Sequence, residues 1–126
     1  MGLFDILGSQ SKTSNSPKQG RDVQAEIKKI VESNAVVLFM KGVPQAPQCG
    51  FSSATVQVLN SYQIQFKGID VLADGDIRDE IKKFSNWPTI PQLYVKGTFI
   101  GGCDIVTEMH ERGQLKKLFE EKGLLK

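Results

Sequence analysis

The segment KGVPQAPQCGFSSATV, Lys41 to Val56, presents a single cysteine, Cys49, after a loop that carries Pro44 and Pro47. A thiol acts as a nucleophile or a metal ligand once it is a thiolate, and an ordinary free cysteine titrates at about 8.5. The start of a helix or a nearby cation lowers that value. Ser52 or Ser53 offers a helix cap just beyond Cys49, which would set the thiol ahead of unpaired backbone N–H groups. Lys41, at the end of the apolar run Ala35–Met40, is the available cation. A free cysteine is also a common core residue, but Gln45, Gln48 and the two prolines argue against burying this loop. Where a dithiol redox motif would carry its second cysteine stands Ser52, so the thiol has no local partner. Cys103 is distant in sequence. His110, the only histidine, reads as a helix-surface residue and makes a poor zinc set with two separated cysteines.

Several elements must position these groups. Val23, Ile27, Ile30 and Val31 recur at helical spacing on one apolar face. Ala35–Met40 is continuously apolar, as expected of a strand buried on both faces. The stretch after Cys49 is ambiguous: Val56 and Val58 alternate like a strand, whereas Ala54, Val58 and Leu59 share a helical side. Ile64–Asp70 reads as a strand, and DGDIRDEIKKF as a helix with Ile77, Ile81 and Phe84 inward. Leu93–Val95 and Thr98–Ile100 form a hairpin turning at Lys96-Gly97. Asp104 caps a last helical region, broken near Gly113 and resumed through Leu115, Leu118 and Phe119. Strands alternating with helices and closing on a hairpin imply an α/β fold, a mixed four-stranded sheet with helices on both faces.

The bulk composition fits one domain. The chain has 126 residues, 40% apolar and 24% charged, which suffices for a single core. A net charge of +2 without a basic cluster interleaved with aromatics gives no sign of a nucleic-acid partner. No apolar run is long enough to span a membrane. Two separated cysteines make no secreted disulfide framework, which points to a reducing compartment. Residues 1–20 divide off as a flexible tail because GSQSKTSNSPKQG has almost nothing to bury, leaving residues 21–126 as the domain. Gly2 invites a myristoylation reading, but Ile6 stands where the acceptor pattern wants Ser or Thr. The absence of arginine before Arg21 makes the tail a poor transit peptide.

KGVPQAPQCGFS, WPTIPQLYVKGTFIGGCDI and the spacing between them resemble the monothiol glutaredoxins of the Cys-Gly-Phe-Ser type, over about Asp22 to Lys122. The resemblance implies a thioredoxin-like fold and makes the segment after Cys49 a helix. It also implies glutathione binding and, in a homodimer, a [2Fe–2S] cluster passed to recipient proteins of iron–sulfur assembly. Such a cluster commonly takes four thiolates. Two chains would supply two Cys49 thiolates and two glutathione molecules the others.

The same resemblance assigns the glutathione contacts. Lys41 and Arg78 fall at the glycine carboxylate, although Arg78 alone would read as a surface arginine paired with Asp74 at i−4. Ile90, before a cis Pro91, offers its backbone N–H and C=O to the glutathione cysteine. Residue alone would favour an ordinary trans proline there. Backbone N–H groups of Cys103 and Asp104 meet the γ-glutamyl carboxylate, and the Asp104 side chain meets the ammonium. Cys103 departs from members with serine at that place and reads as a spectator rather than a resolving thiol. Trp87 reads as a packing residue. The function expected is cluster binding and transfer. The alternative is a thiol–disulfide oxidoreductase that removes glutathione from mixed disulfides through Cys49, with a second glutathione as resolver. The expected compartment is a mitochondrial matrix if the source is eukaryotic and the cytoplasm if it is bacterial.

Overall fold

The computed structural model describes residues 20–125. The flexible tail expected over residues 1–20 therefore falls, Gly20 apart, outside the described residues. The chain runs α1 (Val23–Ser33), β1 (Val36–Met40), β2 (Gly42–Val43), β3 (Ala46–Pro47), α2 (Gly50–Ser61), β4 (Lys67–Asp70), α3 (Gly75–Ser85), β5 (Gln92–Val95), β6 (Thr98–Gly101), α4 (Cys103–Glu111) and α5 (Gln114–Glu121).

Four strands form one mixed sheet in the order β4-β1-β5-β6. β1 pairs in parallel with β4, from Val37↔Lys67 to Met40↔Asp70, and antiparallel with β5, from Val36↔Val95 to Phe39↔Gln92. All five residues of β1 are buried, because its two faces feed two cores. Val37 and Phe39 join Val23, Ile27 and Val31 of α1 and Ile77 and Ile81 of α3. Val36, Leu38 and Met40 join Val56 and Leu59 of α2, Val106 of α4 and Leu115 and Phe119 of α5. The same period-two alternation sends Tyr94 to the first core and Leu93 and Val95 to the second.

The ends of the elements follow local chemistry. Asp22 caps α1 by accepting from the Ala25 N–H at 3.0 Å. Asp74 caps α3, accepting from the N–H groups of Asp76 and Ile77. The β5–β6 turn has positive φ at both Lys96 (51°) and Gly97 (82°), the backbone a tight hairpin turn requires. The expected break near Gly113 is where α4 and α5 part.

Three expectations are corrected. The strand expected from Ile64 begins at Lys67, because Ile64 and Phe66 instead pack against the second core. Asp104 does not cap α4: the cap is Gly102, and Asp104 is the second helical residue. The helix after Cys49 starts at Gly50 rather than at Ser52 or Ser53, with Cys49 itself as the extended cap residue.

The β2–β3 ribbon, with Gly42 opposite Pro47 and Val43 opposite Ala46, folds the loop back toward the sheet. The Asp70 carboxylate pins it, accepting from the Gly42 N–H at 2.9 Å and the Leu72 N–H at 2.8 Å. Gly42 has φ +88°, and a Cβ there would stand 2.7 Å from the Ala46 carbonyl oxygen and the Gln48 nitrogen. Gly113 also has positive φ (+76°) but opens on empty space. Gly113→Ala is therefore expected to cost about 1–2 kcal/mol for the left-handed backbone alone. Gly42→Ala should cost more, since backbone atoms must also move. Urea denaturation midpoints should fall in the order wild type, Gly113→Ala, Gly42→Ala, and equal midpoints for the two variants would contradict the close approach.

Candidate functional site

A cleft of about 590 Å³ opens beside the end of β1. Lys41, Cys49, Arg78, Ile90, Cys103 and Asp104 all line it, although they come from five different places in the chain. That volume is in the range of small-molecule sites.

Cys49 is half-buried at the start of α2, with extended backbone (φ −150°, ψ 137°). Its side chain closes no capping hydrogen bond, so the first-turn amides act on the sulfur as oriented dipoles. The Ser52 N–H is the strongest influence holding the thiol below the usual cysteine range, followed by the Phe51 N–H and the charge of Lys41. Partial burial opposes them without winning. Ser52 is fully buried, and its hydroxyl accepts from the Lys41 N–H at 3.1 Å. Position 52 thus ties the end of β1 to the first turn of α2, and fixes Lys41 and Cys49 relative to each other.

Lys41 follows β1 directly, and its carbonyl accepts from the Gln48 N–H at 2.9 Å, closing the loop that carries the ribbon. Arg78 sits on the second turn of α3 with a half-exposed side chain, 3.6 Å from Asp79. It is not paired with Asp74, the partner suggested by i−4 spacing; Asp74 is bonded to Arg21 instead. The wall opposite α2 is the segment Trp87–Pro91, whose Ile90–Pro91 bond is cis. Ile90 is buried and lies outside the paired register of β5. Gln92 braces this segment: fully buried, it donates from Nε2 to the carbonyls of Trp87 (3.1 Å) and Thr89 (3.2 Å). Cys103 and Asp104 open α4, where the first-turn N–H groups have no helical acceptor. Gly102 lets that helix start approach the wall, since a Cβ would meet the Pro91 carbonyl oxygen and Trp87 Nε1 at 3.3 Å.

The structure adds residues that sequence reading missed. Lys82 lines the cleft one helical turn after Arg78, and i+4 spacing along IRDEIKKF is the signal that could have found it. Phe51 and Leu72, 62% and 50% exposed, put an apolar rim beside the thiol. Cys103 Sγ lies 4.0 Å from the Thr107 hydroxyl in the same cleft as Cys49. Trp87 packs on Phe99, as expected, yet also lines the cleft, with a buried Nε1 that lacks a partner. His110 is outside the cleft and is no bare surface residue: its Nδ1 lies 2.6 Å from the Tyr62 hydroxyl, which joins α4 to α2.

Residues 36–100 match the glutaredoxin family model. The chain belongs to the glutaredoxin family. It is 50% identical over 99 residues to an uncharacterized ycf64-like monothiol glutaredoxin of Synechocystis, covering 79% of this chain and 92% of that protein. It is 45% identical over 118 residues to rice monothiol glutaredoxin-S11, covering 94% of this chain. There the chain spans about a quarter (24%) of the rice protein's length. Among solved structures, a buckwheat glutaredoxin–glutathione complex superposes with a TM-score of 0.72 at 25% identity, over 82% of this chain and 93% of that one. The thioredoxin-like fold expected from the sequence is the one observed, and the cleft of this glutaredoxin presents one thiol at the start of α2.

Alkylation of Cys49 by iodoacetamide, followed by peptide mass spectrometry, should titrate with a midpoint below about 8.5. Reactivity should be lost as pH falls through that lowered value, because only the thiolate reacts. Lys41→Met should raise the midpoint only part of the way back, since the Ser52 amide is the stronger influence. A wild-type midpoint at or above the ordinary value would contradict the electrostatics.

Proposed function

We propose that this glutaredoxin binds glutathione in the cleft and, as a homodimer, carries a [2Fe–2S] cluster to recipient proteins of iron–sulfur assembly. One observation carries the reading: the Cys49 thiol, of lowered pKa, shares a single cleft with cations and an open helix start. Glutathione has a thiol, an ammonium and two carboxylates, and each would meet a suitable group. Lys41 and Arg78 would take the glycine carboxylate, the strongest kind of charge-assisted contact. The Ile90 backbone would pair with the central cysteine as an added strand does. The Cys103 and Asp104 N–H groups would take the γ-glutamyl carboxylate, and the Asp104 side chain the ammonium. The buckwheat protein, of the same fold, is known as a glutathione complex.

The cluster is cargo, and its ligands would come from more than one molecule. Among the described residues no group of three or more His, Cys, Asp or Glu could hold a metal ion. The four thiolates would be two Cys49 thiolates, one from each chain, and two from glutathione. Ser52, in place of a second thiol, keeps Cys49 from closing a local disulfide.

A second reading is favoured by the lowered Cys49 pKa. Its thiolate would attack the glutathione sulfur of a mixed disulfide and release the protein thiolate, which takes up a proton. A second glutathione would then attack the glutathionylated Cys49, freeing it and leaving glutathione disulfide. The compartment proposed follows the source, mitochondrial matrix or bacterial cytoplasm; no helix among the described residues is long and apolar enough to cross a membrane.

Anaerobic reconstitution with iron, sulfide and glutathione should give a coloured dimer by light scattering. Without glutathione, or with Cys49→Ser, the protein should stay colourless and folded. A monomeric coloured form would refute the shared cluster, and colourless wild type active on mixed disulfides would favour the second reading. Lys41→Ala or Arg78→Ala should weaken glutathione on the order of ten-fold, the scale of one charged hydrogen bond. The cluster in those variants should then be short-lived and rescued by excess glutathione; coincident titration curves would unseat the cationic cradle.

A further inference from the structure

Arg21 lies outside the cleft, at the threshold of α1, and is the most heavily bonded cation among the described residues. Its Nε and Nη2 donate to the Glu26 carboxylate at 2.7 and 2.8 Å. Nη2 and Nη1 donate to the two oxygens of Asp74 at 2.7 and 3.3 Å, and Nη1 also reaches Asp76 at 3.2 Å. The guanidinium side chain is 22% exposed, so these contacts are partly shielded from solvent. Its hydrogen bonds, and after them its charge, hold the carboxyl groups of Asp74 and Glu26 below the usual range.

Asp74 is also the residue four positions before Arg78, and Asp–Arg at i,i+4 is a pair that helices form readily. The geometry for it is at hand. The Arg78 N–H donates to the Asp74 carbonyl at 3.0 Å, and Arg78 Nη2 lies 3.8 Å from where a Cβ on Gly75 would stand, so the guanidinium folds back over the first turn of α3. Yet the Arg78 ion pair observed is the loose one to Asp79, 3.6 Å apart and exposed on both sides. Such pairs hold little.

We propose that Arg21 is a positioning residue for the anion site: by occupying the Asp74 carboxylate it leaves Arg78 free to serve the cleft. The inference rests on the reading that Arg78 binds a glutathione carboxylate. Among the described residues Arg21 is the only cation within ion-pair distance of the Asp74 and Asp76 carboxylates, so its loss leaves both without a partner. Arg78, whose Nη2 already lies near Gly75, is then drawn onto the Asp74 carboxylate and away from the cleft, and the uncompensated negative charge repels an incoming carboxylate. The N-terminal edge of the domain thereby sets the charge available to the ligand without touching it.

Calorimetric glutathione affinity of the full chain tests this with Arg21→Gln, Asp74→Asn, the double variant and Arg78→Ala. Asparagine caps a helix about as well as aspartate, so Asp74→Asn removes the charge and keeps the cap. Arg21→Gln should weaken glutathione about two- to fivefold, the scale of a helical ion pair with an uncompensated carboxylate beside it. The double variant should return to wild-type affinity, and Asp74→Asn alone should keep it. In the Arg78→Ala background, Arg21→Gln should have no further effect. Should Arg21→Gln fold poorly, Arg21→Lys, which keeps charge but loses the fork, should show a smaller loss, again removed by Asp74→Asn. Unchanged affinity in Arg21→Gln while Arg78→Ala binds weakly would overturn the inference and leave the cradle standing. A loss that Asp74→Asn does not repair would make Arg21 a structural clamp only. Wild-type affinity in Arg78→Ala would overturn the cradle, and the inference with it.

Discussion

The burial of β1 on both faces is the constraint on which the rest depends. A strand with no solvent face must be flanked by other strands and roofed by helices on either side. Its five residues accordingly bind β4 and β5 laterally and feed two separate cores. The chain leaves this strand at Lys41, and the Ser52 hydroxyl captures the Lys41 N–H at once. Strand end, loop and helix start are thus one unit. The cleft lies beyond the carboxyl end of β1, where α/β sheets commonly place their ligands.

The cleft's electrostatics come from oriented backbone as much as from charged side chains. Cys49 is acidified first by a main-chain N–H and only later by Lys41. Main-chain groups of the first α4 turn stand on the other side. Lys41, Arg78 and Lys82 then add positive charge to a cleft whose thiol becomes negative on ionising. Fixed dipoles of this kind need no reorganisation when charge appears, and they survive salt better than surface lysines do.

Much of this was legible in the sequence where a pattern repeats or a turn has strict chemistry. The helical faces of Val23–Val31 and Ile77–Phe84, the turn at Lys96-Gly97 and the buried run before Lys41 stand as read, except that the run begins at Val36 and Ala35 is exposed. Motif similarity supplied what periodicity left open after Cys49. The β2–β3 ribbon was illegible because two-residue strands carry no period, and Pro47 argues against a strand. The caps were misread because Cys49 and Gly102 cap through backbone conformation, whereas Ser52, Ser53 and Asp104 advertise capping side chains. Arg21–Asp74 and Tyr62–His110 are contacts between distant segments, which no local spacing announces.

The buried Gln92 has a consequence for the thermodynamics of ligand capture. Its amide holds the carbonyls of Trp87 and Thr89, and its oxygen accepts from the Tyr94 hydroxyl at 3.4 Å. The wall segment is therefore fastened from behind by a core side chain, and its open edge is set before anything arrives. Ordering a loop on binding commonly cancels much of the contact energy. Here that cost is met during folding. A peptide lying along the Ile90 edge, as proposed for glutathione, would give up its own freedom and ask almost none of the protein.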